Sequence, residues 1–166
     1  LFAETVDTTF DPAAETLAEA VARISKEAVA AVAGGARLVV LSDVSFVPDG
    51  SRLYAQPLVI TGAVHHALID AGLRLKASIV VETAQVWNTH HVATLCGYGA
   101  SAVHPYMLFR VATELTTPPK EGKKAKVDGV TPAEGIVNAR NALAAGVLKI
   151  MSKIGISSLS SYHGAQ

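Results

Sequence analysis

Two stretches decide the fold: Arg37-Leu38-Val39-Val40-Leu41-Ser42-Asp43 and Ala77-Ser78-Ile79-Val80-Val81-Glu82-Thr83. Each is an apolar run rich in β-branched residues that stops at polar ones, as a buried parallel strand does. A weaker third run, Ala100-Ser101-Ala102-Val103-His104-Pro105, follows them. Apolarity that is continuous rather than alternating predicts strands buried on both faces. Residues 58–71 between the first two runs read as a helix closed by Gly72. Residues 86–95 between the second and third read as another, closed by Gly97 and Gly99. The β-α-β-α-β order predicts an α/β fold of parallel strands alternating with helices through right-handed crossovers. The spacing fits part of a β/α barrel or an open sheet.

Longer helices flank this unit. The first is expected from Pro12 to Ala33, with Asp11 as N-cap and Pro12 where its missing N–H costs nothing. Leu17, Val21, Ile24, Ala28 and Val32 recur at helical spacing, and Gly34-Gly35 supplies the stop. The second opens at Thr131-Pro132-Ala133-Glu134, a capping box, and its apolar stripe runs through Ile136, Leu143, Val147, Ile150 and Ile154 to Gly155. Gly135 and Gly146 lie inside it and weaken it as an isolated helix. Residues 120–126, with four lysines after Pro118-Pro119, read as a solvated surface loop.

Composition removes several function classes. Fourteen basic and fourteen acidic residues leave no positive excess for a nucleic-acid surface. No apolar run approaches the ~18–20 residues of a membrane span. One cysteine, Cys96, excludes an internal disulfide framework and a locally held iron–sulfur cluster, and it argues for a reducing compartment. The sequence opens on Leu1 and ends soon after the last long helix, so it reads as a piece of a longer protein.

Binding residues in parallel α/β folds collect at the carboxyl ends of strands. Here those ends carry Asp43, then Glu82 with Thr83, then His104. Two readings stand for them: contacts to a ligand, or caps of the turns that follow. The histidines come as His65-His66, His90-His91, His104 and His163. Adjacent helical residues point about 100° apart, so neither pair chelates one ion, and no metal site is expected. Cys96 reads as a small buried hydrophobe. Gly97-Tyr98-Gly99 follows a helix and precedes a strand, the reverse of a dinucleotide fingerprint. The ligand or interface candidates are Asp43, Glu82, His90, His91, His104 and Lys153; no catalytic residue is identifiable.

Three stretches together resemble the glutamate synthase large chain. The first is Gly62-Ala63-Val64-His65-His66-Ala67-Leu68-Ile69-Asp70-Ala71-Gly72-Leu73-Arg74. The second is Val81-Glu82-Thr83-Ala84-Gln85-Val86-Trp87-Asn88-Thr89-His90-His91, continuing from Gly97 to Tyr106. The third is Leu148-Lys149-Ile150-Met151-Ser152-Lys153-Ile154-Gly155-Ile156-Ser157, with Ser161-Tyr162-His163-Gly164-Ala165-Gln166. Thr9-Phe10-Asp11-Pro12 and Leu41-Ser42-Asp43 also fit. Departures are Val44, where the family has Arg, the stretch 44–56, Ala67, and Val86, where a cysteine is common.

The resemblance implies an enzyme that makes two L-glutamates from L-glutamine and 2-oxoglutarate. Electrons pass through an iron–sulfur cluster and FMN, and an amidotransferase domain releases the ammonia. It places this chain in the later central domain and the entry to the flavin-binding barrel: 1–117 central domain, 118–130 surface loop, 131–166 helical entry. Nucleophile, flavin core and cluster cysteines then lie outside these residues. The piece alone is expected to be an inactive, cofactor-free scaffold, with part of the 132–154 stripe facing water where the barrel would pack. The second and third stretches resemble the ferredoxin-dependent type of cyanobacteria and plastids, which implies ferredoxin as partner and the cytoplasm or plastid stroma as location. The alternatives are a non-catalytic interaction domain and a different FMN-dependent oxidoreductase.

Overall fold

The computed structural model describes residues 2–119 and 124–165. In chain order the elements are β1 (Ala3–Asp7), β2 (Thr9–Phe10), α1 (Leu17–Ala33), β3 (Leu38–Ser42), β4 (Leu53–Tyr54), α2 (Pro57–Asp70), β5 (Ser78–Glu82), α3 (Thr89–Gly97), β6 (Ala102–His104), α4 (Tyr106–Thr116), α5 (Pro132–Ile154) and α6 (Leu159–Tyr162). The three expected strands are present, parallel and adjacent, and β1 extends them into a sheet of order β1-β3-β5-β6. That order rises without reversal. With right-handed crossovers it puts successive helices on one face, the arrangement of a barrel segment rather than a doubly wound sheet. Accordingly α1 packs on α2, and α2 on α3.

The core lies between sheet and helices. Ile24 and Ala28 of α1, Ile60, Val64 and Leu68 of α2, and Val39, Leu41, Ile79 and Val81 of the strands are almost wholly excluded from water. Burying each such Leu, Ile or Val contributes about 1.5–3 kcal/mol. The strands are not buried on both faces as expected: Val39, Leu41, Ile79 and Val81 are buried, whereas Val40 and Val80 between them are half-buried. The reason is the single-sided winding, which covers one face with helices and leaves the other unlayered.

Capping chemistry moves two helix starts. α1 begins at Leu17, not Pro12, because Thr16 and Glu19 form a capping box. Asp11 instead accepts from the Ala13 amide at 2.8 Å and closes a separate turn. α3 begins at Thr89 rather than near Val86, since the Asn88 side chain accepts from the His91 amide at 3.0 Å. The Thr131–Glu134 capping box forms as expected, and Gly155 ends α5 at φ +82°.

α5 crosses α3 and α4. It makes a second small core in which Val147 and Met151 pack with Cys96 and Tyr162. Ile136, Leu143 and Ile150 are half-buried, but other apolar residues of α5 are open: Leu148 is 65% and Ile154 50% exposed. Residues 120–123 of the lysine-rich stretch lie outside the described residues; beyond them, Lys124 pairs with Asp128 at 2.9 Å in solvent.

Candidate functional site at the carboxyl edge of the sheet

Strand register builds this edge. Asp7 pairs with Ser42, Ser42 with Glu82 and Glu82 with His104, so four polar residues form one row across the sheet. They share the unlayered face with Val40 and Val80, two residues back. The Ser42 hydroxyl donates to Glu82 Oε2 at 2.7 Å, and Glu82 Oε1 meets His104 Nδ1 at 3.0 Å. The Ser42 bond, opposed by partial burial and helped by His104, holds the Glu82 carboxyl below its ordinary range. At the β1 end, Asp7 accepts from the Thr9 amide at 2.8 Å and pairs with Arg52 Nη2 at 2.6 Å. Burial pushes the Asp7 carboxyl up, but the Thr9 and Arg52 bonds outweigh it and leave it lowered.

One residue further on, the chain turns toward the helices. Asp43 is only 1% exposed. Its carboxylate accepts from the Thr83 hydroxyl, from the Ala84 amide at 3.1 Å and from the Tyr106 hydroxyl at 2.9 Å. Its own amide donates to the Glu82 carbonyl at 3.2 Å, and the Thr83 amide donates to the His104 carbonyl at 3.1 Å. Asp43 therefore ties together the segments that follow β3, β5 and β6. Three neutral donors hold this buried carboxylate in place of a cation. Burial, then the Asp43 bond, pushes the Tyr106 hydroxyl far above its ordinary range, so Tyr106 stays a donor. Among the described residues no buried side-chain nitrogen or oxygen lacks a partner.

The sequence candidates thus fall in three places. Asp43, Glu82 and His104 share the carboxyl edge. His91 sits at the start of α3, its Nδ1 accepting from the Trp87 amide at 3.2 Å, and lines a shallow cleft with Gln85 and Trp87; His90 beside it is exposed. Lys153 lies exposed on the last turn of α5, a different element from the edge residues. Ser42, Tyr106, Asp7 and Arg52 complete the edge network without having been singled out. Tyr106 carried a usable signal, since it follows the third strand directly after Pro105.

These residues do not fit an iron–sulfur cluster or a flavin. The single thiol, Cys96, is buried, and burial pushes its pKa up. Among the described residues no group of three His, Cys, Asp or Glu could hold a metal ion. The cleft beside Asp43, Glu82 and Thr83 has no interior room even for a water-sized group, whereas ligand pockets measure ~300–1,000 Å³. Among the described residues no helix is long and apolar enough to cross a membrane.

A family model described as the glutamate synthase central domain matches residues 1–166. A ferredoxin-dependent glutamate synthase of Pyropia yezoensis is 46% identical over 147 residues, 87% of this chain and 10% of that protein. One of Synechocystis sp. is 44% identical over 159 residues, 91% of this chain and 10% of that protein. An NADH glutamate synthase of Schizosaccharomyces pombe is 40% identical over 149 residues, 90% of this chain and 7% of that protein. The chain spans about a tenth of the length of the curated relatives it matches. Among solved structures, a flavocytochrome b2 variant with sulfite bound matches with TM-score 0.62 at 19% identity, covering 84% of this chain and 31% of that chain, a likeness of fold alone. By its family match and these identities, the chain belongs to the glutamate synthase central domain family.

Proposed function

We propose that this chain is the central-domain scaffold of a ferredoxin-dependent glutamate synthase, which makes two L-glutamates from L-glutamine and 2-oxoglutarate. The observation that carries this reading is the 44–46% identity over about nine-tenths of the chain to proteins named for that activity. FMN and the iron–sulfur cluster bind elsewhere in the whole enzyme and supply its electron transfer. The residues here hold strands and turns in register. Asp43, Thr83 and Tyr106 fix the three turns at the carboxyl edge, and Ser42, Glu82 and His104 hold the row beside them. The closed hydrogen-bonding around the buried Asp43 supports positioning rather than substrate contact for that residue.

The same reading divides the chain into a central-domain part, 1–117, a loop, 118–130, and a helical entry to the synthase domain, 131–166. It places the enzyme in the cytoplasm or, in a photosynthetic eukaryote, the plastid stroma; two relatives are named as chloroplastic and another as chloroplastic/mitochondrial. The test is glutamate formation by the full-length enzyme with reduced ferredoxin, NADPH or NADH as sole donor. Ferredoxin supports the reaction on this account. Equal rates with a pyridine nucleotide overturn the assignment of donor, and no glutamate with any donor overturns the activity.

A further inference from the structure

The opposite, amino-terminal edge of the sheet is basic. Arg37 immediately precedes β3, Arg74 and Lys76 precede β5, and all three line a cleft of about 440 Å³ with Ser101, His65 and His163. No carboxylate lines this cleft. Among the described residues none of the three cations takes part in an ion pair. The carboxyl edge, by contrast, carries Asp43 and Glu82, with Asp7 paired to Arg52.

Arg74 is the anchor. Its Nε donates to His65 Nδ1 at 2.9 Å, its Nη1 to the Ala77 carbonyl at 2.9 Å and its Nη2 to the Gly99 carbonyl at 2.8 Å. Burial pushes its pKa down. A half-buried guanidinium held only by neutral acceptors keeps its full charge uncompensated, and that field favours an anion. Because His65 accepts at Nδ1, its proton sits on Nε2 as a free donor. His65 reaches this place only because residue 99 is glycine. Gly99 has φ +113°, and a Cβ there would fall 2.4 Å from His65 Nδ1.

We propose that this cleft binds a small molecule bearing a phosphate-type anion, held by Arg37 and Lys76 at the rim and by the Ser101 hydroxyl and the His65 ring within. The site is distinct from the carboxyl edge and does not depend on the proposed scaffold role.

The test uses full-length protein and inorganic phosphate, with binding read by equilibrium dialysis. Wild type binds phosphate saturably. R37E/K76E weakens it by about tenfold or more, the loss expected when charge-assisted bonds are removed, and R37K/K76R retains it. Unchanged elution volume and thermal midpoint show that each variant is folded. If R37E/K76E does not fold, R37Q/K76Q carries the test with the same direction. Wild-type protein without saturable binding at millimolar phosphate, or charge-removed variants that bind as wild type does, overturns the proposal.

Discussion

A Cβ on Gly146 of α5 would fall 2.4 Å from Thr89 Oγ1 at the start of α3, a separation no packed atom tolerates. The absent side chain is what lets the two helices meet. As an isolated helix residue Gly146 costs about 1 kcal/mol against alanine, so the contact offsets a local weakness. Gly146→Ala is therefore expected to destabilise despite its better helix propensity, since overpacking costs about 1–3 kcal/mol. Thr89→Ala in the same chain removes Oγ1 and Cγ2 and recovers part of the loss. Chemical denaturation of the two single variants and the double variant checks this; strictly additive effects contradict it.

His65 gives the fold a pH dependence near neutrality. Burial first, then the charge of Arg74, lowers its pKa below the ordinary 6.5. The unfolded chain then binds the proton more readily, so stability rises with pH through the window below 6.5 and is lost as pH falls. His65→Gln keeps an acceptor for Arg74 and removes the titration. Thermal midpoints between pH 5 and 7 should rise in wild type and rise less in the variant. Parallel profiles contradict the assignment.

Glu82 acts at lower pH. Its lowered carboxyl contributes stability above the ordinary value of 4.5 that is lost as pH falls through the depressed folded value. Glu82→Gln should be less stable than wild type at pH 7 and lose less on acidification to pH 3. Identical acid titrations of wild type and variant contradict this.

Much of the fold was legible because the strand runs at 38–42 and 78–82 are continuous and end at Asp43 and Thr83. β1 was not: Ala3–Asp7 is mostly exposed, with Val6 its one buried residue, and presents no apolar run. β2 and β4 have two residues each and are fixed by pairing across the sequence, which no local pattern records. The start of α1 was misplaced because Pro12 after Asp11 is a valid opening in isolation, and the Thr16–Glu19 box won. The carboxyl-edge residues could be named from strand ends. Of their partners, Tyr106 was signalled only by its place after Pro105 behind the third strand and Arg52 not at all, because their contacts depend on turn geometry and on distances of 63 and 45 residues along the chain.

The central claim is that the carboxyl edge positions the turns and does not carry out chemistry, and Asp43 tests it most directly. Asp43→Asn in the full-length enzyme leaves donors at Thr83, Ala84 and Tyr106 without a full set of acceptors, at about 1–3 kcal/mol. The measurement pairs the thermal midpoint with glutamate formation per folded molecule at a temperature where both proteins are folded. The account predicts a lowered midpoint with kcat within about threefold of wild type, less than ~1 kcal/mol in the barrier. An unchanged midpoint with kcat reduced a hundredfold or more would contradict it and make Asp43 a participant in the reaction.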